Sequence, residues 1–208
     1  MWEVLTSFDP ALLAAFVAAG LLLNLTPGVD FVYITGSGLS GGPRIGMAAA
    51  TGVCLGVGVH VLAAAGGVSA LLLAYPAAYG AVRLAGAAWL GWLAVRAWRA
   101  GAAPPQRAEG GRSAAQAIAR GFLTNVLNPK TALFIFAFVP QFTDPATGPV
   151  WVQIVLLGAV FMVNSLLFTL ALGAGAGWLA SGLSARAGLI NKITAIVFGG
   201  LAARLILD

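Results

Sequence analysis

Two short stretches hold the groups that can do chemistry. One is Asn24, Thr26, Pro27, Gly28 and Asp30 within NLTPGVDF; the other is Asn125, Asn128, Pro129 and Lys130 within NVLNPK. Each lies inside an apolar run long enough to cross a membrane. A charge within a span costs at least ~2.5–3.5 kcal/mol on insertion scales, so it persists where it is paired, hydrated or needed. Asp30 can take and release a proton or hold a substrate ammonium. Lys130 can hold a substrate carboxylate or balance Asp30 between substrates. The plain alternatives are a static ion pair, or an Asp30 exposed at the cytoplasmic mouth of its span. Proline inside a helix removes one backbone donor and clashes with the preceding turn. In lipid the freed carbonyl must find another partner or line a polar cavity. The spacing therefore predicts two discontinuous helices that meet near the middle of the bilayer. Freed carbonyls and side-chain amides there can bind a polar solute.

Other polar positions carry less. His60 is the only histidine. It can relay protons, but a single hydrogen-bonded core histidine is the simpler reading. Asn164, Ser165 and Thr169 can line the cavity or bridge helices. Cys54, the only cysteine, excludes an intrachain disulfide and a cysteine-cluster metal site, and reads as a small core hydrophobe. The glycines at 52, 56 and 58 and at 173, 175 and 177 allow close helix contact. No nucleotide loop, nucleic-acid motif or metal-binding cluster is present in the sequence, so no cofactor is expected.

The elements that must position these groups follow from composition. Of 208 residues, 60% are hydrophobic and only 8% charged, too few charges to cover a water-facing surface. Six apolar segments qualify as spans: 11–34, 45–74, 79–97, 113–139, 150–172 and 189–207. None shows strand-like alternation, so all are expected to be helices. The fold class is an all-α integral membrane protein of one domain, residues 1–208. The linker AGAAPPQRAEGGR at 100–112 divides it nearly in half. The halves, about 1–99 and 113–208, resemble each other. LTPGVDF at 25–31 lines up with LNPKTAL at 127–133, and WLGWLAVR at 89–96 with VFGGLAAR at 197–204. Three spans per half is an odd number, so the second half enters from the opposite side. Two inverted three-helix repeats with proline-broken first and fourth helices result, an architecture of secondary transporters.

Lys and Arg outnumber Asp and Glu 11 to 6, for a net charge of +5. The basic residues gather in alternate connections: Arg44; Arg96, Arg99, Arg107, Arg112 and Arg120; Arg186 and Lys192. Basic loops stay cytoplasmic, which puts both termini on the outer side of the membrane. Trp2, Tyr75, Tyr79, Trp98, Trp151 and Trp178 fall near span ends, as interfacial aromatics do. The first ten residues carry no Lys or Arg, unlike a signal peptide, so the first apolar run is expected to be retained. Gly/Ala-rich spans favour a homodimer. The other expected partners are solute, protons and bilayer lipid; nucleic acid is not among them.

The chain resembles the lysine-exporter and homoserine/threonine-resistance (LysE/RhtB) family of bacterial amino-acid exporters. Three blocks carry the likeness: LTPGVDF followed by SGLSGGPRIGMAAATGVCLG; GFLTNVLNPKTALFIFAFVPQF; and Gly86-Ala87-Ala88-Trp89-Leu90 leading to Arg96. One departure is Val29, where the family has a second proline; Asp30 stands where Asn is commoner. The resemblance implies export of amino acids or related metabolites driven by the proton-motive force. It implies site roles for Pro27, Gly28, Asp30, Asn125, Asn128, Pro129 and Lys130. The residues alone do not choose amino acids, nor export over import. A cation exporter (cadmium, for example), an intramembrane enzyme and a structural membrane protein are the alternatives.

Overall fold

A computed structural model describes residues 8–68, 75, 78–99, 113–176, 182 and 185–207. The expected linker at 100–112, and the aromatic positions Trp2 and Trp178, lie outside them. All regular structure among the described residues is helical. In chain order the main helices are α1 (Pro10–Leu25), α2 (Val29–Gly41), α3 (Pro43–Ala63), α4 (Ala78–Arg99), α5 (Ala114–Val126), α6 (Pro129–Leu133), α7 (Val150–Ala174) and α8 (Ala187–Leu207). A π-helical turn, Ala64–Val68, prolongs α3; Phe134–Phe138 and then the 3-10 turn Val139–Phe142 prolong α6.

Local chemistry sets the starts. Asp9 accepts the Ala11 N–H at 2.8 Å ahead of Pro10, and Ser113 accepts the Gln116 N–H at 3.2 Å. Two prolines set the breaks. α1 and α2 meet at 58°, and α5 meets the α6 segment at 53°. The α3 segment Pro43–Gly67 and α7 are each long and apolar enough to cross a membrane, and each bent pair reaches that length only as a unit. The first broken helix runs on to Gly41, beyond the expected 34, because Gly42, with φ 79°, is the first residue to leave helical geometry.

Polarity is inside out relative to a water-soluble domain. Leu55, Val59 and Leu62, at helical spacing, form an exposed stripe on α3, while Asn125, Asn128, Thr131, Ser165 and Thr169 are buried. Two apolar cores flank this polar layer. In one, Phe16 of α1 packs on Phe134, Phe138 and Phe142, with ring centroids 5.2–6.3 Å apart, and Phe134 packs on Phe161 at 5.0 Å. In the other, Tyr33 and Ile34 of α2 meet Ala49, Ala50 and Val53 of α3 and Ala117 of α5, and the Tyr33 hydroxyl donates to Ala117 O at 3.0 Å. The segment before each break thus packs on the segment after the other, and the two breaks face each other. α4 and α8 pack chiefly on one another beside this core.

Glycines let the core close. A Cβ at Gly52 would fall on the Ile118 carbonyl, and one at Gly46 on the Gly173 carbonyl. One at Gly56 would meet Asn125 Cβ at 2.7 Å. Of the other expected contact glycines, Gly58 meets only the Met162 side chain, at 3.4 Å. Cys54 is buried, with Sγ 3.6 Å from Met162 O, as a small core residue.

Gly52→Ala should cost about 1–3 kcal/mol through overpacking, read as a lower thermal midpoint in detergent. Gly91, whose Cβ would meet open space, is the control: Gly91→Ala should leave the midpoint unchanged or raise it. Equal midpoints for the two variants would contradict backbone contact at Gly52.

Candidate functional site

The site begins with an orphaned carbonyl. Residue 27 would donate its N–H to Leu23 O in an unbroken helix, and proline has none. Lys130 Nζ takes its place, donating to Leu23 O at 2.6 Å and to Thr26 O at 2.8 Å. The ammonium therefore caps the last carbonyls of α1, the negative end of that helix dipole. Thr26 completes the cap: its N–H and its hydroxyl both go to Leu22 O, at 3.0 and 2.7 Å.

The second break repeats the problem. Pro129 leaves Asn125 O without its helical donor. The Asn128 N–H reaches Asn125 O at 2.8 Å, and His60 Nε2 approaches it at 3.0 Å. A carbonyl only accepts, so Nε2 carries the hydrogen. His60 is buried, with Phe136 edge-on at 5.9 Å. It is a hydrogen-bonded core histidine that serves the break.

Asp30 stands in the first turn of α2, whose N-cap is Gly28. Its Oδ2 accepts from Asn128 Nδ2 at 2.7 Å and Asn125 Nδ2 at 2.9 Å, with the Thr131 hydroxyl at 3.5 Å. Asn128 is oriented from both ends, because its Oδ1 caps the Lys130 N–H at 3.0 Å. The second Asn125 N–H goes to Thr131 Oγ1 at 3.1 Å, so Asn125 Oδ1 faces away from the carboxylate. The alternative of a direct static ion pair is not formed: Lys130 is held by carbonyls and Asp30 by amides. Leu23 O, freed by Pro27, needs a donor, and the ammonium supplies it.

Three buried polar atoms around this layer have no partner among the described residues: Asp30 Oδ1, Asn125 Oδ1 and Asn24 Nδ2. All three residues line one inner cavity with Thr26, Gly28, Asn128, Lys130, Ser165 and Thr169, closed by Phe31, Phe161 and Phe168. About 30 Å³ is left for the centres of water-sized molecules, room for a water or two. Ser165 donates to Asn24 Oδ1 at 3.2 Å, and Thr169 bonds back to Ser165 O at 2.7 Å. Pro27 and Pro129 lie on the far side of the break, in a second and wider cavity. Asn164 is not in the inner cavity: its Nδ2 reaches Val17 O at 3.2 Å and bridges α7 to α1. The α7 helix turns position 164 away from the face that carries 165 and 169.

Sequence reasoning missed Thr131, the shared partner of Asn125 and Asp30, although it directly follows Lys130. It missed Thr194, whose hydroxyl lies 3.3 Å from that of Thr26. It also missed that Trp89, Trp92 and Arg96, at helical spacing on α4, line the wider cavity together with Asn191.

Comparison with known proteins adds to this geometry. A family described as "LysE type translocator" matches residues 21–208. The chain is 32% identical over 146 residues to an uncharacterized membrane protein of Vibrio cholerae, covering 69% of this chain and 70% of the other. It is 30% identical over 150 residues to a homoserine/homoserine lactone efflux protein of Salmonella typhimurium, covering 72% of each. It is 28% identical over 195 residues to a leucine efflux protein of Enterobacter sp. strain 638, covering 91% and 92%. No solved structure matches the chain.

Lys130→Met removes the charged donor to Leu23 O and Thr26 O. The thermal midpoint should fall by the equivalent of about 1–3 kcal/mol for each carbonyl left unpaired. His60→Leu should lower it less, because Asn125 O keeps the Asn128 N–H. The reverse order would overturn the capping role of the lysine.

Proposed function

The chain belongs to the LysE type translocator family, and from that premise we propose that it exports amino acids or closely related metabolites across the bacterial inner membrane. The observation that carries this is the set of unpartnered atoms beside Asp30 and Lys130. Asp30 Oδ1 and Asn125 Oδ1 are acceptors suited to an ammonium; Asn24 Nδ2 and the Lys130 ammonium are donors suited to a carboxylate. A zwitterion answers both halves of that set. The relatives named for leucine and homoserine efflux point to the same solute class. A soft-cation cargo would call for a cluster of metal-binding side chains, and no three gather among the described residues.

The transport cycle we propose is proton antiport by alternating access. Asp30 exchanges a proton for the substrate ammonium. Lys130 leaves its two carbonyls, or shares its third N–H, to meet the carboxylate. The inner cavity is too small for an amino acid in this conformation, so passage requires the elements around the two breaks to move. Three pairings support two inverted repeats: the broken helices across from each other, α3 against α7, and α4 against α8. The alternation of basic connections supports a cytoplasmic linker and outside termini.

Cells or inverted vesicles loaded with labelled amino acids should show release that depends on a pH gradient. Lys130→Ala should abolish it while the protein remains in the membrane. Asp30→Asn keeps acceptors for Asn125 and Asn128 but loses the charge, and should lower efflux by about 10- to 100-fold, the worth of one charged hydrogen bond. Normal efflux by either variant would sink the role assigned to that side chain.

A further inference from the structure

A second cavity opens on the opposite side of the breaks, lined by Trp89, Trp92, Leu93 and Arg96 of α4, Asn191 of α8, and the residues of both proline turns. It leaves about 300 Å³ for the centres of water-sized molecules, some ten times the inner cavity by the same measure of about 30 Å³. Four residues, Thr26, Gly28, Asn128 and Lys130, line both. The wall between the cavities is therefore the proline-turn layer with the lysine in it.

The chemistry of this vestibule differs from that of the inner site. Two cations, Arg96 and Lys130, line it, and among the described residues no carboxylate does. The Arg96 guanidinium lies over the Trp92 ring, 5.2 Å from its centroid, and Trp92 stacks on Trp89 at 4.5 Å. That contact holds the guanidinium over an aromatic shelf. The buried Trp89 Nε1 has no hydrogen-bond partner among the described residues, although an indole N–H in such surroundings normally has one. A guanidinium facing no described carboxylate, a lone indole donor and an apolar shelf together fit an anionic head on an apolar chain.

We propose that this vestibule is a carboxylate-binding subsite that receives the solute before Lys130 admits it to the inner cavity. Arg96 takes the carboxylate, and the tryptophan shelf with Leu93 takes an apolar side chain. The direction of travel rests on the exporter reading: Arg96 lies in the last turn of α4, next to the basic connection expected in the cytoplasm. Binding itself does not rest on it. The two cavities then divide recognition, the outer one reading carboxylate and side chain and the inner one reading the ammonium.

Calorimetric titration of the full chain in phosphatidylcholine nanodiscs tests this. The probes are leucine, isocaproate, which lacks the ammonium, and isoamylamine, which lacks the carboxylate. Leucine and isocaproate should bind, and isoamylamine, which offers Arg96 no carboxylate, should show no binding that Arg96→Gln alters. Arg96→Gln and Trp92→Ala should each weaken isocaproate about tenfold or more, the loss of one charged or stacking contact. Arg96→Lys, which keeps the cation, should bind more tightly than Arg96→Gln and guards against misfolding as the cause. No isocaproate binding to the parent chain, or equal binding by Arg96→Gln, overturns the proposal. So does loss of isocaproate binding when phosphatidylglycerol is added, which would assign the cations to a lipid headgroup. The titration reads binding alone. Intact isocaproate binding beside a failed efflux panel would reject the exporter reading and keep the subsite; efflux without isocaproate binding would do the opposite.

Discussion

A membrane interior offers no water to an unpaired carbonyl, and two prolines in this chain each create one. Leu23 O and Asn125 O lose their helical donors at Pro27 and Pro129. Lys130 answers the first and His60, with the Asn128 N–H, the second. Lys130 and His60 both come from other helices, so full repair of the two breaks depends on the helices being packed together. The repair of the backbone and the assembly of the polar layer are one event.

That constraint gives Lys130 a double character. Its ammonium is a structural cap on α1, and it is also a wall of two cavities that differ in size and charge. In the proposed transport cycle, a solute carboxylate that draws the ammonium away leaves Leu23 O and Thr26 O unpaired, which loosens the break. On that proposal, substrate recognition and movement of the broken helix share a single group. Asp30 is held differently, with one oxygen bound by two amides and the other left open. Its position is fixed while half of its hydrogen-bonding capacity stays available.

Packing supplies the rigid frame around this layer. Aromatic rings join α1 to the segment after the second break, and Tyr33 joins α2 to α5. Glycines at 46, 52 and 173 bring helix backbones into direct contact. Many leucines, valines and isoleucines are exposed on the helices, so a hydrophobic stripe that would mark a core in water fits a lipid-facing surface in this chain. Helix amphipathicity therefore gives little guidance about which side faces in.

Much of this was legible in the residues themselves. Helical class, the two breaks and the company of Asn24, Thr26, Asp30, Asn125, Asn128 and Lys130 all follow from proline, polarity and span length, because those are local properties of the chain. The tertiary structure alone decided the partners. The charges do not pair with each other, because backbone carbonyls freed at one break lie within reach of the lysine at the other. Asn164 faces a neighbouring helix while Ser165 faces the cavity, a difference of one residue that only the rotation of α7 determines. Arg96, Trp92 and Asn191 line one cavity with the proline turns because of where α4 and α8 pack. Contacts between residues far apart in the chain depend on helix rotation and crossing, and no spacing along the chain encodes them.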